Sequence, residues 1–129
     1  MLTDIEHKLN TYPHVLSRRL RAVRTLITKI AECTEAIGTL DESLKWGQIS
    51  FATMRPKSGT PIRIDGDEET DKYSIFVPCS TTLIEDFRTH HPHMFKYHGN
   101  REIRLGLIKK IPKPELTLFL TAALTYNLD

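Results

Sequence analysis

The most regular pattern in the chain runs from Pro13 to about Glu35. Leu16, Leu20, Val23, Ile27 and Ile30 recur at steps of three and four residues, and Leu26 and Ala31 widen the apolar stripe. That period predicts an amphipathic helix with one buried face. Pro13 suits its first turn and Gly38 its end. Upstream, residues 1–12 predict a short helical lead-in capped by Thr3 or Asp4. Downstream, Thr39-Leu40-Asp41-Glu42 has the form of a capping box. A short helical turn is therefore expected through Leu44 or Lys45, with Trp46-Gly47 leading out of it.

The period then changes to two. Ile49–Arg55 alternates loosely, Pro56-Lys57-Ser58-Gly59 supplies turn chemistry, and Ile62-Arg63-Ile64 reads as a second strand. Tyr73–Val77 is a third, reached through the hydrophilic connection Asp65–Asp71. Short loops make these an antiparallel meander. Thr82, with Glu85 three residues on, caps a helix that carries Leu83, Ile84 and Phe87 inward. It should end near His90, because His91 precedes a proline. Met94–Asn100 is irregular, and Ile103, Leu105 and Leu107 alternate on a fourth strand. Pro112 and Pro114 open a closing helix with Leu116, Phe119, Leu120, Ala123 and Leu124. The expectation is an α+β domain with an antiparallel sheet of about four strands, a three-strand meander plus one later strand. This sheet packs against N- and C-terminal helices.

Size and composition agree with one globular unit over residues 1–129. A chain of 129 residues is the usual length of a single domain. It is 40% hydrophobic and 26% charged, which suits a packed core and not a disordered segment. Such a core needs neither disulfides nor a structural metal. The formal net charge is +2, too mild to imply a nucleic-acid partner. Arg18, Arg19, Arg21 and Arg24 are expected to form a solvated helix surface. Cys33 and Cys79 belong to no CxxC pair, so neither a disulfide framework nor a zinc site is indicated. No apolar run reaches membrane-spanning length, and the first residues mix charges of both signs. A cytoplasmic protein with no membrane partner is the expectation. The oligomeric state, homodimer included, is open. No GxSxG, HExxH, P-loop or dinucleotide fingerprint occurs, so no cofactor is expected and catalysis has no specific support.

Several words in order resemble the YdhG-like family, a bacterial domain of unknown function. They are Leu44-Lys45-Trp46-Gly47-Gln48, Thr60-Pro61-Ile62-Arg63-Ile64, Val77-Pro78-Cys79-Ser80-Thr81-Thr82-Leu83, Tyr97-His98-Gly99-Asn100-Arg101 and Ala122-Ala123-Leu124-Thr125-Tyr126. The resemblance spans about residues 12–128. The family often carries proline two residues after its Trp-Gly pair. Gln48-Ile49 stands there in this chain, as in a subgroup variant. Some relatives are linked to iron handling with a frataxin-like sandwich, and the resemblance implies that alternative as well.

The family words cluster basic and polar groups: Lys45, Trp46, Arg63, Thr82, Asn100 and Arg101. Arg63, between two isoleucines, faces away from them on a strand. A helix starting at Thr82 would add free amides. Two guanidinium groups suit a carboxylate or phosphate. The expected function is thus a non-enzymatic module binding a small anionic ligand or a protein partner. The plainer alternative is that Arg63 pairs with an acid, Trp46 packs the core edge, and Asn100 and Arg101 close a turn. His90, His91 and His93, with His98 nearby, are read as a solvated loop end and not a metal site. Asp65, Asp67, Glu69 and Asp71 lack the glycine and glutamate of an EF-hand, since Thr70 and Phe76 stand there. Cys79 near a helix start could be a low-pKa nucleophile. A buried structural cysteine is the preferred reading.

Overall fold

The computed structural model describes residues 3–128 apart from Glu68, so that residue of the acidic connection and the first two of the lead-in lie outside it. Among the described residues the chain forms four α-helices and six strands. The order is α1 (Asp4–Leu9), α2 (His14–Cys33), β1 (Thr39–Lys45), β2 (Gln48–Arg55), β3 (Ile62–Asp67), β4 (Lys72–Phe76), α3 (Leu83–His90), β5 (Lys96–His98), β6 (Glu102–Gly106) and α4 (Lys113–Leu124). The strands make one antiparallel sheet in the order β1-β2-β3-β4-β6-β5. The α+β class is as read from the sequence, but the sheet has six strands where about four were expected.

The helices follow most of the local signals, but Thr82 precedes α3 without the expected side-chain cap bond, its hydroxyl donating to Asp86 instead. Thr3 caps α1, its hydroxyl accepting from the Glu6 amide at 3.2 Å. Along α2, Leu16, Leu20, Val23, Ile27 and Ile30 are all buried. They meet Ile49 and Phe51 of β2, Ile62 and Ile64 of β3, Tyr73 and Ile75 of β4, and Ile103 and Leu105 of β6 in one core. Among the described residues, the burial of alternate strand residues leaves the other face of the sheet without a helical cover. No helix is long and apolar enough to cross a membrane among the described residues.

Two local expectations are overturned. Thr39–Lys45 is not a helical turn but strand β1, paired with β2 through Lys45↔Gln48. The turn between them holds only Trp46 and Gly47, with φ of 56° and 77°. Two successive positive φ values are what a two-residue type I′ hairpin requires, and the pairing it closes outweighs the local capping word. On the helix side of β1, Glu42 receives both Arg24 Nε at 2.6 Å and Nη2 at 3.0 Å, and Leu40 packs on the core. The arginine group is therefore not simply solvated. Arg21 donates to Asn10 at 2.7 Å and Arg19 to the Leu107 carbonyl at 3.2 Å, leaving Arg18 exposed.

Tyr73 is fully buried, and its hydroxyl has no hydrogen-bond partner among the described residues. Burial pushes this phenol up to about 12. A buried polar group without a partner costs about 1–3 kcal/mol. Tyr73→Phe is expected to stabilise the fold by about 1 kcal/mol in urea denaturation. The raised phenol keeps its proton in the fold while the unfolded chain ionises. The parent should therefore lose stability from its ordinary value of 10.0 up to about 12, and the variant should lose less. A Tyr73→Phe protein less stable than the parent would show that the hydroxyl is bonded.

Candidate functional site

The uncovered face is built by alternation. Opposite the core residues, β1 presents Asp41, Ser43 and Lys45, and β2 presents Ser50, Ala52 and Met54. Pairing then lays Ser43, Ser50, Arg63, Phe76, Glu102 and His98 in one row across all six strands. Neighbouring strands lie about 4.8 Å apart, so adjacent members of the row touch the same ligand-sized patch. Arg63 is near the middle of this row.

A hollow of about 430 Å³ opens beside Arg63, and Lys45 and Trp46 reach it from the β1–β2 turn. Asp41, Ser43 and Phe76 line the same hollow. Arg63 is half-buried, and neither it nor Lys45 makes an ion pair or side-chain hydrogen bond among the described residues. Trp46 does not pack the core edge: it is 91% exposed.

Asn100 and Arg101 belong to a neighbouring hollow of about 550 Å³ with Cys79, His98, Glu102 and Arg104. They lie in the β5–β6 turn, where Gly99 has φ of 61°. Arg88 donates to the Gly99 carbonyl and, at 3.4 Å, to Asn100 Oδ1. The Arg101 carbonyl accepts from the Val77 amide at 2.8 Å. Phe76 and Glu102, paired across β4 and β6, separate the two hollows. Thr82 lines neither of them. It starts α3 in the helical layer, where its amide donates to the Tyr126 hydroxyl at 3.0 Å and its own hydroxyl to Asp86 at 3.0 Å. Of the six residues singled out in the sequence, three share one hollow, two share the next, and one stands apart.

Glu102 organises the ridge. One carboxylate oxygen accepts from Ser74 Oγ at 2.7 Å and from Arg104 Nε at 2.8 Å. Burial alone would raise this carboxyl. The bonds from Arg104 and Ser74, with the charges of Arg104 and His98, hold it below the ordinary value of 4.5. A depressed carboxyl contributes stability that is present above the unfolded value and lost as pH falls through the folded one. Glu102→Gln should therefore be less stable than the parent by about 1 kcal/mol near neutrality. Below pH 4.5 the gap should close, as followed by circular dichroism across a pH series. A gap that stays constant into acid would mean that the pair contributes no charge-dependent stability.

The other candidates are dispersed. Cys79 and Cys33 are both exposed, which overturns the buried reading of Cys79. His90 bonds the Asp86 carbonyl at 2.9 Å, and His91 lies tilted against Phe87. Asp65 accepts from the Tyr12 hydroxyl at 2.7 Å, and Asp67 from the Glu69 amide at 2.9 Å. Burial, then the Asp65 carboxylate, drives the Tyr12 phenol upward. Asp65 and Asp67 are strand residues of β3, not loop residues. Among the described residues no group of three or more His, Cys, Asp or Glu is placed to hold a metal ion. Iron handling draws no support from the geometry.

Sequence reasoning passed over a third hollow, which gathers Lys72, Lys96, Arg104, Lys109 and Lys110. The Lys109-Lys110 pair was the only local sign of it. Compared with family models, curated proteins and solved structures, the chain gives no match in any of the three.

Proposed function

We propose that the protein is a non-enzymatic binding module of YdhG-like type that takes a small anionic ligand in the hollow of Lys45, Trp46 and Arg63. The observation that carries this reading is the conformation of Trp46. A side chain of this size stands 91% exposed on a residue with φ of 56°. A left-handed backbone costs an ordinary L-residue about 1–2 kcal/mol. Asparagine or glycine would serve the turn without that strain. The exposed indole also returns little to folding, because it buries almost nothing. Strain held beside two cations without ion-pair partners marks a group kept for contact with a ligand.

The chemistry fits that role. Arg63 offers parallel donors to a carboxylate or phosphate, and Lys45 adds a point charge. The indole supplies a flat apolar wall for the rest of the ligand. Asp41 on the far side selects against a ligand that is anionic throughout. Among the described residues no histidine or cysteine lines this hollow.

The test is chemical-shift perturbation with a panel of small phosphates and carboxylates, on the parent and on Trp46→Asn. Saturable shifts are expected at the Trp46 indole and at Arg63. The variant should bind about tenfold more weakly. It should also be about 1 kcal/mol more stable, having lost the turn strain. Silence at Trp46 and Arg63 across the panel would sink the reading, as would a variant that binds like the parent.

A further inference from the structure

The hollow that sequence reasoning missed has a volume of about 510 Å³ and lies on the other flank of the sheet from Trp46. Lys72 comes from β4, Lys96 from β5 and Arg104 from β6, and Lys109 and Lys110 come from the β6–α4 connection. Four lysines and one arginine line it, and among the described residues no carboxylate does. The whole chain carries only +2, so the rest of the molecule is net negative. Five of the 18 lysines and arginines meet in this one cleft.

The gathering works against the fold. Lys96 and Arg104 are directly opposed across β5 and β6. Like charges in that position destabilise an antiparallel pair. Lys72, Lys96, Lys109 and Lys110 make no ion pair among the described residues. Arg104 gives its Nε to Glu102 and leaves both terminal nitrogens without a partner there. Pro112 lines the same cleft, which places the amino end of α4, the positive end of its dipole, at its rim. A multiply charged anion would relieve all of this repulsion at once. Pro92, Met94 and Pro112 add an apolar wall beside the charges.

We propose that this cleft binds a small organic polyphosphate, two or more phosphate groups carried on an apolar or aromatic body. A single phosphate leaves most of the five charges uncompensated. The volume suits a small molecule. The proposal uses none of Lys45, Trp46 and Arg63, so it stands or falls apart from the hollow they form.

Calorimetry at low salt on the full chain tests it, with pyrophosphate, adenosine triphosphate and a short single-stranded oligonucleotide as probes. Saturable binding of one triphosphate per chain is expected, tighter than pyrophosphate by about tenfold. Lys96→Gln and Lys110→Gln should each weaken the triphosphate by about tenfold, the usual effect of one charge-assisted contact. Trp46→Asn should leave it unchanged. Without ligand, Lys96→Gln should melt above the parent, because it removes the opposed pair, so weaker binding cannot be put down to a damaged fold. The absence of saturable heat with pyrophosphate and triphosphate overturns the proposal. So does unchanged triphosphate binding in both lysine variants. Equal affinity for pyrophosphate and triphosphate overturns the organic body, and tighter binding of the oligonucleotide replaces the small ligand by a nucleic acid.

Discussion

Truncation of Phe119 to alanine is expected to cost about 4 kcal/mol. Its ring is fully buried at the centre of an aromatic set. Phe87 of α3 meets it edge-on at 5.0 Å and Phe95, just before β5, at 5.8 Å. Each such pair adds about 0.5–1.5 kcal/mol beyond burial alone. The ring thus ties α3 and the start of β5 to α4, and with them the wall of the basic cleft that Met94, Phe95 and Lys96 build. The loss should be uneven. In hydrogen exchange on Phe119→Ala, amides of α3 and of Tyr97 should lose more protection than those of β2 and β3. A uniform loss would mean that the aromatic set does not hold this region separately.

Gly59→Ala should cost about 3 kcal/mol, at the upper end for overpacking. A Cβ at Gly59 would lie 2.5 Å from the backbone of Leu124. The obstacle is main chain, so no rotamer relieves it. The segment is also pinned from several sides. Thr60 donates to the Ala123 carbonyl at 2.9 Å, and Asn127 to the Ser58 carbonyl at 2.9 Å. The Gly59 amide donates to Thr53 Oγ1 at 2.9 Å. Ser58 Oγ donates to the Ile37 carbonyl at 2.8 Å. Room for a methyl group would have to come from lifting the end of α4, which breaks the bonds to Ala123 and from Asn127 at about 1 kcal/mol each, because the bonds to Thr53 and Ile37 hold the loop itself in place. Urea denaturation decides: a variant within 1 kcal/mol of the parent would show that α4 does not approach the loop this closely.

What the sequence disclosed follows the range of the interaction concerned. Leu16 to Ile30 spelled out α2 because a helix is written in its own neighbours. Thr39 to Lys45 misled because the capping word is local, while the partner that makes it a strand is β2. Asparagine before Gly47 would have announced the hairpin, and Trp46 stands in its place. Three-residue β5 carries too little alternation to be seen. Its Tyr97 is fixed from outside the strand, its hydroxyl donating to the His91 carbonyl at 2.7 Å. The same distinction governs the sites. Lys45, Trp46 and Arg63 converge because a tight turn and the next-but-one strand bring them together. Thr82 departs because Tyr126 holds α3 in the helical layer. The basic cleft was unreadable because Lys72 to Lys110 become neighbours only when β6 inserts between β4 and β5.

The chain has one tryptophan, and it stands at the tip of the β1–β2 turn. An indole that is 91% exposed already meets nearly as much water in the fold as in the unfolded chain. Its emission should therefore stay red-shifted throughout denaturation and report almost nothing of folding, which must be followed by the peptide backbone signal instead. The same indifference makes it a clean optical reporter. A blue shift or quench at constant temperature and denaturant can come only from something arriving at the hairpin tip.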